Sequence, residues 1–231
     1  MTPPAPRFSR YESQGADHPM MSFGPDRDAG ILIVPPLFEE LNRTRKLISD
    51  IMRALAAADV ATHLPDLPGT GESEISLSDI AWDDWRQAIA DAVAHADAAA
   101  ILAVRGGCLL DDAVDAKAHI RFSPVAGKRL IRDLIRARSL TDAGFDAEAQ
   151  KAVFVDGPTN LGGYPVSTAL ACAVRDAEFA ERNDVTTIRL DSDHGDADIT
   201  VTGSPLWRRA EPSGSPELAA SLAEAVANRI G

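Results

Sequence analysis

The chain has 231 residues, 45% of them hydrophobic and 25% charged, a length and balance that suit one α/β domain with a core large enough to need neither disulfide nor metal. Its formal net charge is −12, which argues against the basic face that a nucleic-acid partner requires. Cys108 and Cys172 lie far apart and outside any Cys/His cluster, so no disulfide framework, metal site or cofactor is expected.

The Pro-rich start, residues 1–6, is expected to be disordered and lacks the charged-then-apolar pattern of a signal peptide. No apolar run reaches membrane-spanning length, so a cytoplasmic protein without a membrane span is expected. Arg7 to Ser13 and Pro19 to Phe23 are strand candidates joined through Gly15-Ala16-Asp17. Gly30-Ile-Leu-Ile-Val34 is a continuous apolar run, as in a strand covered on both faces. Leu47, Ile48, Ile51, Met52 and Leu55 recur at helical spacing and predict a helix over Leu41 to Ala57. Val60 to Leu64 predicts a strand, closed by Pro65-Asp-Leu-Pro-Gly-Thr-Gly71. Trp82, Trp85, Ile89 and Val93 mark a helix to about Ala96. Ala98 to Val104 reads as a strand, Gly106 to Ala116 as a helix and His119 to Pro124 as a strand. Strand and helix alternating at this spacing imply crossover units and a mostly parallel sheet flanked by helices.

After Pro124 the alternation breaks. Gly127 to Phe145 reads as a basic helix, Asp156 to Gly163 is rich in Gly, Pro and Asn, and Val166 to Glu181 is helical. Strands over Val185 to Leu190 and Asp198 to Thr202 flank the polar loop Asp191-Ser-Asp-His-Gly-Asp196, and Glu217 to Ile230 is a closing helix. No linker divides the chain, so residues 1–231 are expected to form one domain, with about 125–165 as a small helical cap over the sheet.

Ligands of open parallel sheets bind at the carboxyl ends of the strands. Three such ends carry unusual residues: Val34-Pro-Pro-Leu-Phe-Glu-Glu-Leu-Asn-Arg-Thr-Arg45, Asp66-Leu-Pro-Gly-Thr-Gly-Glu-Ser73 and Ala103-Val-Arg-Gly-Gly107. The Asp66-x-x-Gly69-x-Gly71-x-Ser73 turn resembles that of the α/β-hydrolases, and the strand that follows ends where that fold carries its Gly-x-Ser-x-Gly elbow. The chain more closely resembles the exosortase-associated hydrolases, of the second of two types found beside bacterial exopolysaccharide genes. The residues that carry this are Pro35-Pro-x-x-Glu-Glu-x-Asn-x-x-Arg45, the Arg-x-Gly turn at Arg105, Pro124-Val-x-Gly-Lys128, Gly163-Tyr-x-x-Ser-x-Ala-Leu170 and Gly203-x-Pro-x-Trp207. The resemblance implies an α/β-hydrolase fold and a hydrolase-like protein working in or beside exopolysaccharide production. It also puts Arg105 where the nucleophile would stand, and Arg105 cannot attack a carbonyl. The loop expected to hold the triad histidine reads Thr202-Gly-Ser-Pro-Leu-Trp207. The Ser-His-Asp triad is therefore expected to be degenerate.

Arg105 has two readings: an anion site at a glycine-flanked turn, or an ion pair with Glu39 or Glu40 that plugs the old active site. Glu39 and Glu40 occupy the turn where an oxyanion hole would lie, and could act as general base, bind sugar hydroxyls or face the helix dipole. Asn42 and Arg45 read as an orienting amide and an ion-pair partner. Tyr164, Ser167 and Trp207 are candidates for lining the pocket, with helix capping the alternative for Ser167. His194 is either a displaced histidine or part of a solvated turn. Cys108 is better explained by packing than by nucleophilic chemistry. The basic stretch Lys128 to Arg138 either receives an acidic partner or is a solvated face. At the level of function, a hydrolase-like enzyme competes with a non-catalytic binding protein for a small anionic or glycan ligand. A conventional carboxylesterase with relocated residues ranks last.

Overall fold

A computed structural model describes residues 5–25 and 30–230. Residues 1–4, most of the segment expected to be disordered, lie outside the described residues. The chain opens with an antiparallel pair, β1 (Arg7–Ser13) and β2 (Ala16–Phe23), whose turn residues Gln14 and Gly15 both have positive φ. Then follow β3 (Ile31–Val34), α1 (Glu39–Ala57), β4 (Thr62–Pro65), α2 (Trp82–Ala96), β5 (Ala100–Val104) and β6 (Ala118–Phe122). Every residue of β3, β5 and β6 is buried. That is why β3 and β5 read as unbroken apolar runs, since a central parallel strand is covered on both faces; β6 buries His119 and Arg121 among its apolar residues.

The second half contains α3 (Gly127–Thr141), α4 (Ala147–Ala152), β7 (Thr159–Leu161), β8 (Tyr164–Val166), α5 (Thr168–Asp176), β9 (Val185–Leu190), β10 (Ile199–Val201) and α6 (Pro216–Ile230). Eight strands form one sheet in the order β1-β2-β4-β3-β5-β6-β9-β10; β7 and β8 form a separate hairpin. All neighbours from β4 to β10 are parallel, and β1-β2 and β2-β4 are antiparallel. One sheet face packs on α1 and α6 through Leu47, Ile51, Leu55, Leu218 and Leu222, and the other on α2, α3 and α5 through Trp85, Ile89, Leu130 and Leu170.

Three expectations need correction. The helix predicted over Gly106 to Ala116 is instead two 3-10 turns, Arg105–Leu109 and Asp111–Ala113. Two glycines are poor helix formers, and a β-carbon on Gly107 would lie 2.5 Å from the Pro35 carbonyl oxygen, so the chain descends tightly beside β3. Gly127 to Phe145 is a shorter helix, because Arg138 ties to Asp142 in extended backbone and Asp146 caps a new helix by accepting from the Glu148 and Ala149 N–H groups. Val166 to Glu181 splits into strand β8 and a nine-residue helix that starts at the Ser167 cap and ends at Asp176. Ser167 accepts from the Leu170 N–H, so its role is to cap α5.

Candidate functional site

Arg105 follows β5 directly, at the carboxyl edge of the sheet, with φ at 55°. A long side chain in the left-handed region costs on the order of 1–3 kcal/mol and persists only where its surroundings impose it. Here the imposition is visible. Gly106 abuts Leu130 and Leu37, and Gly107 abuts the backbone of Val34 and Pro35. A second strained residue, Phe38 at φ 56°, stands opposite on the β3–α1 loop. Strain thus falls on the two turns between which the fold carries its chemistry.

Each of the three nitrogens of the Arg105 guanidinium donates one hydrogen bond. Its Nη2 and Nε donate to the two carboxylate oxygens of Glu40 at 2.8 and 3.2 Å, and Nη1 donates to the Ser123 carbonyl at 2.7 Å. The Trp207 ring covers it at 4.2 Å from the ring centroid, a cation–π geometry. Both charged side chains are largely buried, at 8% and 16% exposure. Glu39 and Glu40 open α1, whose cap residue Phe38 offers no side-chain acceptor, so the two carboxylates also face the positive helix end. Glu39 has other partners: it accepts from the Tyr164 hydroxyl at 3.1 Å and from Arg43 Nε at 3.2 Å. Arg43 Nη1 reaches on to the Trp207 carbonyl, and Asn42 donates to the Tyr164 hydroxyl at 3.0 Å. Burial and the Glu39 charge push the Tyr164 phenol up to about 12, so it remains a neutral donor.

Between α1, α3 and the Trp207 turn lies a cavity of about 540 Å³, within the usual range for small-molecule sites. Glu39, Glu40, Arg43, Arg105, Arg129, Asp133, Arg136, Trp207 and Arg208 supply its polar and aromatic lining; Leu37, Phe38, Leu130, Leu134 and Leu140 supply its apolar floor. A neighbouring cavity shares Glu39, Arg43 and Leu134 and continues past Tyr164 to Asn160. A third, of about 380 Å³, lies on the other side of Tyr164 and holds Asn42 and Arg45 with Thr70 and Ser76.

The seven candidate residues therefore divide. Glu39, Glu40, Arg105 and Trp207 line one cavity, Asn42 and Arg45 line another, and Tyr164 stands between them. Asn42 reaches the Tyr164 hydroxyl from the side of the third cavity. Arg45 forms no ion pair among the described residues; its charge pulls down the Asp66 carboxyl, which burial raises. Cys108 is buried, its thiol is pushed up by burial, and its Sγ donates to the Ala103 carbonyl, so it packs rather than reacts. His194 is exposed, and no group of three or more potential metal ligands occurs among the described residues.

Sequence reasoning missed Ser123 and Asp193. Ser123, at the end of β6, is completely buried with φ 44°, and its Oγ donates to Asp193 Oδ2 at 2.8 Å. Asp193 belongs to the acidic loop after β9, and through Ser123 that loop is tied to the residue that holds Arg105. The one sequence signal for Ser123 was its place at the carboxyl end of a central strand.

No protein-family model and no curated protein matches the chain. Solved structures do. Est1E from Butyrivibrio proteoclasticus with ferulic acid bound is 17% identical over 96% of this chain and 99% of that one, with a TM-score of 0.64. The bottromycin epimerase BotH in complex with bottromycin A2 is 16% identical over 97% and 99%, with a TM-score of 0.54. The thioesterase domain from the curacin biosynthetic pathway is 12% identical over 98% and 99%, at 0.53. The chain has the α/β-hydrolase fold, with a mostly parallel eight-stranded sheet. A ferulic-acid-bound protein, an epimerase and a thioesterase domain among its neighbours leave the reaction to be argued from the site. No helix among the described residues is long and apolar enough to cross a membrane.

Proposed function

We propose that the chain is a hydrolase-like pocket protein of the exosortase-associated type, serving exopolysaccharide production by binding a small anionic or glycan ligand without a serine nucleophile. The observation that carries this reading is Arg105 at the strained elbow, clamped by both oxygens of Glu40 beneath Trp207. A guanidinium cannot be acylated, and both oxygens of the Glu40 carboxylate are held by Arg105. Ser123, the nearby hydroxyl, is buried and paired with an aspartate rather than an imidazole, so it lacks the base that nucleophilic activation needs. Arg105 and Glu40 close the elbow, and the cavity beside them remains as the ligand site under a cap made of residues 125–165.

One observation favours an enzymatic version of the same site. Glu39 is 43% exposed at the junction of two cavities, with Tyr164 and Arg43 on its oxygens, and it is the acid–base group that a bound ligand would meet.

Two measurements test the proposal. Incubation with a fluorophosphonate and with activated esters is expected to give no labelled serine and no turnover above background; a labelled serine overturns it, since labelling requires an activated hydroxyl. A thermal-shift panel of sugar phosphates, uronic acids and acyl anions is expected to contain members that raise Tm, because a ligand of the native state stabilises it by about 2.7 kcal/mol at a hundredfold excess over Kd.

A further inference from the structure

The charges of the main cavity do not cancel. Its lining carries five guanidinium groups, of Arg43, Arg105, Arg129, Arg136 and Arg208, against the three carboxylates of Glu39, Glu40 and Asp133. This surplus of two positive charges sits in a chain whose net charge is −12. Each carboxylate has its own arginine: Glu40 takes Arg105, Glu39 takes Arg43, and Asp133 takes Arg129 at 3.8 Å. Arg136 of α3 and Arg208 of the turn after Trp207 are left, and neither guanidinium has a hydrogen bond or ion pair among the described residues. The deep wall is of another character. Leu37, Phe38, Leu130 and Leu134 are at most 6% exposed and line the cavity, while Leu140 at its rim is 77% exposed, one of three large apolar side chains so uncovered among the described residues. Leu140 thus carries the apolar lining of the cavity from the buried leucines out to its mouth.

We infer that the ligand of this cavity is an amphiphilic phosphate monoester, its phosphate held by Arg136 and Arg208 and its hydrocarbon body lying along Leu37, Leu130, Leu134 and Leu140. The inference rests on the pocket reading above and names the ligand class for it. A phosphate monoester carries about −1.5 to −2 charge at pH 7, which matches the unpaired surplus, and planar guanidinium groups bind its oxygens in pairs. A bare sugar phosphate would satisfy the arginines and leave the apolar wall in contact with water. A neutral glycan would do neither. In this assignment Arg105 contributes mainly shape and field, because each of its nitrogens already donates to Glu40 or Ser123.

The test is calorimetric titration of the full chain with octyl phosphate below its micelle concentration, beside inorganic phosphate and octyl glucoside. Octyl phosphate is expected to bind at least tenfold more tightly than either control. The exposed pair Arg136→Gln/Arg208→Gln is expected to leave Tm unchanged and to weaken octyl phosphate about tenfold for each arginine, as charged hydrogen bonds warrant. Unchanged affinity in that variant, or inorganic phosphate binding as tightly as octyl phosphate, overturns the assignment. Cosedimentation with phosphatidylcholine vesicles containing phosphatidic acid separates the sources. Binding lost in the double variant indicates a membrane-embedded phosphate; octyl phosphate binding without vesicle binding indicates a free one. If uronic acids or sugar phosphates raise Tm while octyl phosphate does not bind, this inference falls and the pocket reading stands. A serine labelled by fluorophosphonate would remove the pocket reading itself.

Discussion

Two buried arginines flank the turn after β5, and they are built alike. Arg121, on β6, donates to both oxygens of Asp111 at 2.6 and 2.9 Å, to the Ala180 carbonyl at 3.0 Å, and lies over the Phe179 ring. Arg105 donates to both oxygens of Glu40 and to the Ser123 carbonyl, and lies over Trp207. Each has 8% of its side chain exposed. Yet Arg121 sits in a regular strand and away from the cavity, whereas Arg105 lines the cavity in left-handed backbone. A bidentate pair under an aromatic ring is thus a packing solution this chain uses twice. The strain at φ 55° is not required by such pairing, since Arg121 achieves it without strain. It belongs to the sharp turn into Gly106 and Gly107, the same turn on which this fold elsewhere exposes its nucleophile. Under the proposed function, the Arg105–Glu40 pair occupies the position that a nucleophile would take.

The largest expected effect separates the two pairs. Asp111→Ala strands Arg121 away from the cavity, beside a carboxylate that is itself 1% exposed against 16% for Glu40, and is expected to cost about 3–5 kcal/mol in urea denaturation. Glu40→Ala strands Arg105 at a cavity wall that can hydrate it, and is expected to cost less, about 1–3 kcal/mol. Equal costs would mean that Arg105 is as sealed as Arg121, and the cavity would no longer distinguish them.

A smaller effect isolates the backbone. In a Glu40→Gln background, Arg105→Gly and Arg105→Ala remove the same charge and the same contact with Trp207. Glycine adopts positive φ freely, while alanine keeps a β-carbon against the preceding turn. The glycine variant is expected to be more stable than the alanine variant by about 1 kcal/mol, despite the greater chain entropy glycine loses on folding. Alanine equal to or better than glycine would show that the elbow relaxes once the arginine is gone, and that the strain belongs to the side chain rather than to the turn.

The sheet was legible because its central strands are covered on both faces, so that Ile31 to Val34 and Ala100 to Val104 had to be unbroken apolar runs. The turn after β5 was not: Cys108, Leu109 and Leu110 form a short buried apolar run, which by itself does not tell helix from turn or reveal that Gly107 lies against the β3 backbone. The hairpin of β7 and β8 had a readable signal in Gly162-Gly163, both at positive φ, the two-residue turn that hairpins favour. The Pro- and Gly-rich context around it favoured a loop reading instead. At the site, Arg105 and its carboxylate neighbours stood out because charges at strand ends are rare. Arg136 and Arg208 did not, since an exposed arginine is ordinary until its cavity is known. Ser123 and Asp193 are joined across 70 residues, a distance no local pattern spans.

The smallest expected effect lies at the hydrated rim, at Tyr164. Its hydroxyl donates to Glu39 and accepts from Asn42, while its ring packs edge-on against Phe38 at 5.8 Å. Tyr164→Phe keeps the ring contact and removes only the hydroxyl, so near neutral pH it is expected to cost about 0.5–1.5 kcal/mol. The phenol is pushed from 10.0 to about 12 by burial and by the Glu39 charge, so the folded state holds its proton longer than the unfolded chain does. Below pH 10 both states are protonated and the contribution is fully present. Between pH 10 and about 12 the unfolded state ionises first and binds fewer protons, so the stability of the parent falls as pH rises. Tyr11, also raised by burial, lies in both proteins and cancels in their difference. Urea midpoints at pH 9 and pH 11 should therefore show the gap between parent and Tyr164→Phe narrowing with pH. A gap that stays constant would place the hydroxyl in water, detach Tyr164 from Glu39 and leave that carboxylate with Arg43 alone at the mouth of the cavity.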